Sequence, residues 1–120
     1  MKVCRWAFIA ILTVLVVASG LVWLPPDREK LVYAYSDQCG HCSAFAPIFA
    51  RVIASYPDVE VKRLQIERTD DYAEARMLGV TGTPEVLVLR AGTVTARLEG
   101  NVPEQVLRRF LEKHLAETDQ

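Results

Sequence analysis

Apolar positions along this chain follow two different periods, and the switches between them mark the elements. "LVYAYS", Leu31 to Ser36, is a short run rich in apolar and aromatic residues, which predicts a buried strand. Phe45, Ile48, Phe49, Val52, Ile53 and Tyr56 then recur at steps of three and four, one apolar face of a helix that Pro57-Asp58 ends. Pro47 lies inside that pattern and predicts a kink. "VEVKRLQI", Val59 to Ile66, alternates apolar and polar, slipping between Val61 and Leu64, and reads as a second strand.

Thr69, Asp70 and Asp71 offer caps for a short helix from about Tyr72 to Leu78, with Gly79 as its stop. "EVLVLR" (Glu85–Arg90) and "TVTARLE" (Thr93–Glu99) flank the tight-turn pair Ala91-Gly92 and predict a hairpin. Pro103 opens a last helix whose apolar face is Val106, Leu107, Phe110, Leu111 and Leu115. The order is strand–helix–strand–helix–strand–strand–helix. A right-handed parallel unit followed by an antiparallel hairpin gives an α/β fold, one four-stranded mixed sheet with helices on both faces.

Ahead of this domain stands an uninterrupted apolar run, Trp6 to Leu24, nineteen residues without a charge. At about 1.5 Å rise per residue it makes roughly 28 Å of helix, near the thickness of a bilayer's hydrocarbon. Lys2 and Arg5 precede it, while Asp27, Arg28, Glu29 and Lys30 cancel beyond it, so the amino terminus is expected in the cytoplasm. Two readings compete. Ala18-Ser19-Gly20 would serve as a signal-peptide cleavage site; the length of the run, and Trp6 and Trp23 at its ends, favour a signal anchor. The expected layout is a cytoplasmic 1–5, a transmembrane anchor 6–24, a linker 25–30, a domain 31–117 and a tail 118–120. Either reading places the domain on the extracytoplasmic, periplasmic side, and an uncleaved anchor keeps it within ~20 Å of the membrane.

The chain has 120 residues and a net charge of −1, with no basic patch, so nucleic acid is not an expected partner. No segment reads as a dimerisation domain, and a monomer is expected. Of three cysteines, Cys4 falls at the cytoplasmic edge of the anchor, where acylation is possible and a passive residue is the plainer reading. The other two, Cys39 and Cys42, enclose Gly40 and His41 where the first strand gives way to a helix. Open α/β sheets place their sites at such carboxyl ends of strands.

A thiol attacks a disulfide only as the thiolate, and a free cysteine near pKa 8.5 is mostly protonated at neutral pH. A helix amino terminus stabilises the anion through its unpaired N–H groups and dipole. That assigns Cys39 as the attacking thiol and Cys42, one turn on and more buried, as the resolving one. His41 would supply positive charge or a donor to the Cys39 thiolate, making the disulfide more oxidising. Gly40 would leave room for a substrate chain. Structural zinc needs four ligands, and no second pair exists. A two-residue gap also closes too small a loop for a stabilising staple. The redox-active Cys39–Cys42 pair is then the only reactive group required, with no separate cofactor.

"CGHCSAFAP", with Pro47 five residues after the second cysteine, and "GVTGTP", Gly79 to Pro84, ahead of a hairpin, together resemble the thioredoxin superfamily. The tetrapeptide is similar to that of protein disulfide isomerase domains. The resemblance covers about Leu31 to Leu115 and implies a minimal thioredoxin fold without the family's first strand–helix pair. It also implies a cis Pro84 facing the cysteines and Thr83 backbone groups that pair with a substrate peptide. Four positions depart from the family's usual residues: Tyr33 replaces a buried carboxylate, Gln38 a tryptophan, Ser43 a basic residue, and Glu85 a small polar residue.

The expected activity is therefore extracytoplasmic, membrane-tethered thiol–disulfide exchange with protein substrates and a membrane redox partner. Its direction is open between reductase and oxidase or isomerase, with a lean towards reductase or exchange partner. The competing class is a copper-handling or assembly module holding Cu(I) between the two thiols.

Overall fold

The computed structural model describes residues 28–115. The segments expected to be a cytoplasmic terminus, an anchor and a tail, and Cys4 with them, fall outside the described residues; among those described, no helix is long and apolar enough to cross a membrane.

The predicted element order is the one observed: β1 (Lys30–Tyr35), α1 (Gly40–Ile53), β2 (Glu60–Gln65), α2 (Thr69–Met77), β3 (Glu85–Arg90), β4 (Thr93–Glu99) and α3 (Glu104–Leu115). The sheet order is β2-β1-β3-β4, with β1 parallel to β2 and antiparallel to β3, and β3 antiparallel to β4. β1 and β3 are central and buried on both faces, so their sequences are nearly continuous apolar runs.

Alternation along the strands separates two cores. Leu31, Tyr33, Val86 and Val88 face α1 and α3, meeting Phe45, Phe49, Val52, Leu107 and Leu111. Val32, Ala34, Leu64, Leu87 and Leu89 face the other way, onto Ala75 of α2 and Val80. The helices therefore cover both faces, as the pattern predicted.

Several boundaries differ from expectation by one to three residues. β1 takes in Lys30, because Lys30 pairs with Glu60 in the ladder and forms an ion pair with it at 3.1 Å. Glu29 is likewise buried and ion-paired to Arg90, so the last residues of the expected linker belong to the domain. α2 begins at Thr69, with an extended Arg68 as its cap. Asp70 and Asp71 thus sit in the first turn, where carboxylates oppose the positive end of the dipole, and Asp71 also accepts the Gln65 N–H at 3.0 Å. In α3, Val106 is 38% exposed, flanking the Leu107–Leu111 stripe instead of joining it.

Two turns rely on residues with positive φ. Ala91 and Gly92 both have positive φ, 53° and 78°, as a two-residue hairpin turn of the primed type requires. Beyond Met77, α2 is closed off at Gly79, φ 80°, with the Gly79 N–H donating to the Arg76 carbonyl and the Val80 N–H to the Ala75 carbonyl. This double closure satisfies the helix's last carbonyls and sends the chain back across the sheet's end.

Candidate active site

Cys39 is the N-cap of α1, in extended conformation (φ −98°, ψ 119°), and its side chain makes no capping bond. Its sulfur is thus left at the mouth of the helix, half-exposed, where the free N–H groups converge. Cys42, one turn inside, is 3% exposed and accepts the Ser36 N–H at 3.5 Å. Both thiols are free. Hydrogen bonding from Cys42 holds the Cys39 thiol below its usual value, with smaller help from Thr83 and from the His41 backbone N–H. Burial pushes Cys42 the other way. The pair therefore divides into an exposed, readily ionised thiol and a buried, reluctant one, as attack and resolution demand.

The turn before the cysteines is tied down by polar side chains. The Ser36 hydroxyl donates to Glu67 and accepts the Gln38 N–H at 3.2 Å, and the Gln65 amide donates to Asp37. These bonds fix the exit from β1 against the exit from β2.

Across from Cys39 lies the chain segment 79–84. The Thr83–Pro84 peptide bond is cis, Pro84 is buried, and the Cys39 thiol donates to the Thr83 carbonyl oxygen at 3.7 Å. The Pro84 carbonyl accepts the Gly100 N–H at 2.8 Å, which fastens this segment to the end of β4. Between it and α2 runs an open cleft of about 440 Å³, lined by Tyr72, Arg76, Gly79, Thr81, Gly82 and Thr83.

His41 and Gly40 are both exposed. The imidazole makes no hydrogen bond or ion pair among the described residues, while the His41 backbone N–H is directed at Cys39. A Cβ built on Gly40 meets nothing within 4 Å; the bare backbone there faces outward, free for an approaching chain.

Tyr33 lies beneath the pair. It is buried, stacked on Phe49 (centroids 4.3 Å apart, planes 22°) and on Tyr35, and its hydroxyl finds no hydrogen-bond partner among the described residues. Burial, then the neighbouring Cys42, pushes its pKa up to about 12, so it is a neutral phenol at physiological pH. It shares with Cys42, Ser43 and Arg63 the wall of a second cleft of about 400 Å³.

Among the described residues, no group of three or more His, Cys, Asp or Glu side chains is placed to hold a metal ion. The structure thus brings Cys39, Cys42, Thr83 and Pro84 together, with Gly40 and His41 on the rim. The sequence had not marked Arg97, whose contacts with Glu85 and with the 78–79 backbone lie directly behind the Thr83 segment.

Comparison with known proteins agrees with this geometry. The thioredoxin family model matches residues 23–113. A "Disulfide bond formation protein" from Brevibacillus choshinensis is 40% identical over 104 residues, 87% of this chain and 88% of that one. A "Thioredoxin 1" from Nostoc is 26% identical, over 77% of this chain and 85% of its own. Among solved structures, Fasciola hepatica thioredoxin superposes with a TM-score of 0.65 at 23% identity, covering 88% of this chain and 92% of its own. A nucleophilic thiol at a helix mouth, a buried partner one turn behind, and a cis-proline segment against the sulfur recur here in one chain matched along most of its length: this protein belongs to the thioredoxin family and is a thiol–disulfide oxidoreductase.

Proposed function

We propose that this chain transfers its Cys39–Cys42 disulfide to exported proteins, working on the extracytoplasmic side of a membrane to which the apolar run Trp6–Leu24 tethers it. The observation that carries the reading is the division of labour in the pair: Cys39 exposed and held towards the thiolate, Cys42 buried behind it. Stabilising the Cys39 thiolate stabilises the reduced form, which makes the disulfide the stronger oxidant. The name of the Brevibacillus relative, a disulfide bond formation protein, supports the same direction.

In that direction a substrate thiolate attacks the Cys39 sulfur, and Cys42 leaves as a thiolate that takes up a proton from solvent. A second substrate thiolate then attacks its partner sulfur in the mixed disulfide, and Cys39 leaves as the thiolate. The substrate loses two electrons and two protons, and the Cys pair gains the electrons. A membrane redox partner that accepts electrons from the reduced pair closes the cycle.

The reduction potential of the Cys39/Cys42 couple tests the direction. A value near about −120 to −180 mV fits disulfide donation, and one near about −270 mV turns the enzyme into a reductase. Labelling with a membrane-impermeant maleimide in intact cells tests the placement: Cys39 reacts without lysis of the cytoplasmic membrane, or the tethering reading falls. The competing copper reading predicts one tight Cu(I) per reduced molecule, lost in Cys39→Ser, with no disulfide transfer.

A further inference from the structure

Glu85 follows Pro84 directly and points into the protein, 1% exposed. One carboxylate oxygen is paired with Arg97 Nη1 at 2.8 Å, and the other, Oε2, is buried with no hydrogen-bond partner among the described residues. Arg97 does more than neutralise it. The same Nη1 donates to the Gly79 carbonyl at 3.0 Å, and Nη2 donates to the Leu78 carbonyl at 3.1 Å. A planar guanidinium has its donors in a fixed fork, so three acceptors on one Arg lock their relative positions. The fork joins the two ends of the segment 78–85: Leu78 and Gly79 where α2 ends, and Glu85 where β3 begins. Between those ends lie Thr83 and the wall of the 440 Å³ cleft.

Burying a carboxylate against a guanidinium that itself stays 37% exposed is an expensive way to gain stability, since an apolar pair of similar volume often does as well or better. Its value here is geometric. We propose that Glu85 and Arg97 are positioning residues that fix the 78–83 segment, so that Thr83 meets a polypeptide substrate at the distance Cys39 needs. This rests on the disulfide-transfer reading for its activity readout. The pair touches neither sulfur, and a small dithiol needs no backbone edge. Its loss should therefore separate the two kinds of substrate.

The test uses the full-length oxidised protein and three variants, Glu85→Met/Arg97→Met, Glu85→Gln and Arg97→Lys. Two rates are read: disulfide transfer to a reduced, unfolded protein over a concentration series, and reduction by dithiothreitol. In the double variant the half-saturation concentration for the protein substrate is expected to rise about five- to tenfold, with the dithiothreitol rate within about twofold and thermal stability kept. Arg97→Lys, which keeps the charge and loses the fork, should fall between wild type and the double variant. An unchanged half-saturation concentration overturns the proposal, as does a parallel fall in both rates. Should the double variant fail to fold, Arg97→Lys and Glu85→Gln decide by the same criteria. If wild type transfers no disulfide to either substrate, the functional reading fails. The positioning is then judged by amide hydrogen exchange across 78–83, which must accelerate in the variants or the proposal is wrong.

Discussion

The Thr83 carbonyl oxygen lies 3.7 Å from the Cys39 sulfur, forty-four residues away along the chain, and accepts its thiol proton. A peptide that paired with the Thr83 backbone, as the resemblance implies, would arrive beside the reactive atom. The hydrogen bonding from Cys42 to Cys39, and the burial of Cys42 behind it, set how the two thiols should respond to pH.

Alkylation by iodoacetamide, followed by mass spectrometry across pH, should give Cys39 a midpoint below 9.0 and Cys42 one above it. The linkage follows in sign. A lowered folded pKa makes the Cys39 contribution to reduced-state stability full above 9.0 and lost as pH falls through the lowered value. Urea unfolding of the reduced protein against Cys39→Ser should show the gap widening as pH rises through that window. A flat gap would refute the assignment.

Cys42→Ala cannot form the disulfide it would donate, but its Cys39 thiolate should attack disulfides of oxidised protein substrates and stay trapped as a mixed disulfide, visible on non-reducing gels, because no second thiol of the pair remains to resolve it. Cys39→Ser should abolish transfer altogether, since the buried Cys42 is 3% exposed and out of a substrate's reach.

Tyr33→Phe removes a buried hydroxyl that has no partner among the described residues. Unmet polar groups of this kind cost about 1–3 kcal/mol, so the variant should match or exceed wild-type stability in urea unfolding, by up to about 1 kcal/mol. Because Tyr33 keeps its proton up to about 12, the pH profile of disulfide transfer below pH 9 should be that of wild type. A shifted profile would mean that the phenol takes part in moving the Cys42 proton.

Two glycine-to-alanine changes should behave oppositely. Gly40→Ala meets no atom within 4 Å, so thermal unfolding should shift by no more than about 0.5 kcal/mol, and any effect should appear only with protein substrates. Gly79→Ala puts a Cβ at φ +80° and 3.2 Å from Arg97 Nη2. It should cost about 1 kcal/mol or more and weaken protein-substrate transfer through the 78–83 segment.

For Glu85 the pH dependence runs the other way from Cys39. Burial raises its pKa, Glu99 on β4 adds to the rise, and Arg97 opposes it. The folded state therefore binds this proton more readily than the unfolded one. Relative to Glu85→Gln, wild type should gain stability as pH falls from the raised value towards 4.5. A gap that narrows on acidification would contradict the burial seen here.

Much of this was readable from periodicity. The switch from period two to steps of three and four located β1 and α1, and the Ala91-Gly92 turn set both strands of the hairpin to their observed bounds. The placement of the cysteines at a strand-to-helix junction followed from the same switch. Arg97 could not be read in this way. A regular two-residue hairpin would set Arg97 opposite Val86, on the face away from Glu85. A register shift between Val88 and Leu89 leaves Thr95 without a ladder partner, pairs Ala96 with Val88 and Arg97 with Leu87, and so turns the guanidinium to the Glu85 side. One inserted residue flips a strand's faces, and nothing in "TVTARLE" announces it. The early start of α2 has a similar origin, since Asp71 serves both the helix dipole and the Gln65 amide across the fold. His41 was legible as a position, and the structure places its peptide N–H against Cys39.

β1 enters the domain at Lys30 and delivers the chain to the cysteines at its far end, six residues or about 20 Å later. The entry point and the reactive sulfur are therefore opposite poles of the same strand. Wherever the preceding segment is held against a surface, the domain stands on its Lys30 end and presents Cys39 outward, so clients are met from the open side and not from the attachment side. A redox partner embedded in that surface would have to reach around the sheet, or wait for the domain to tip over, before it could exchange electrons with the pair.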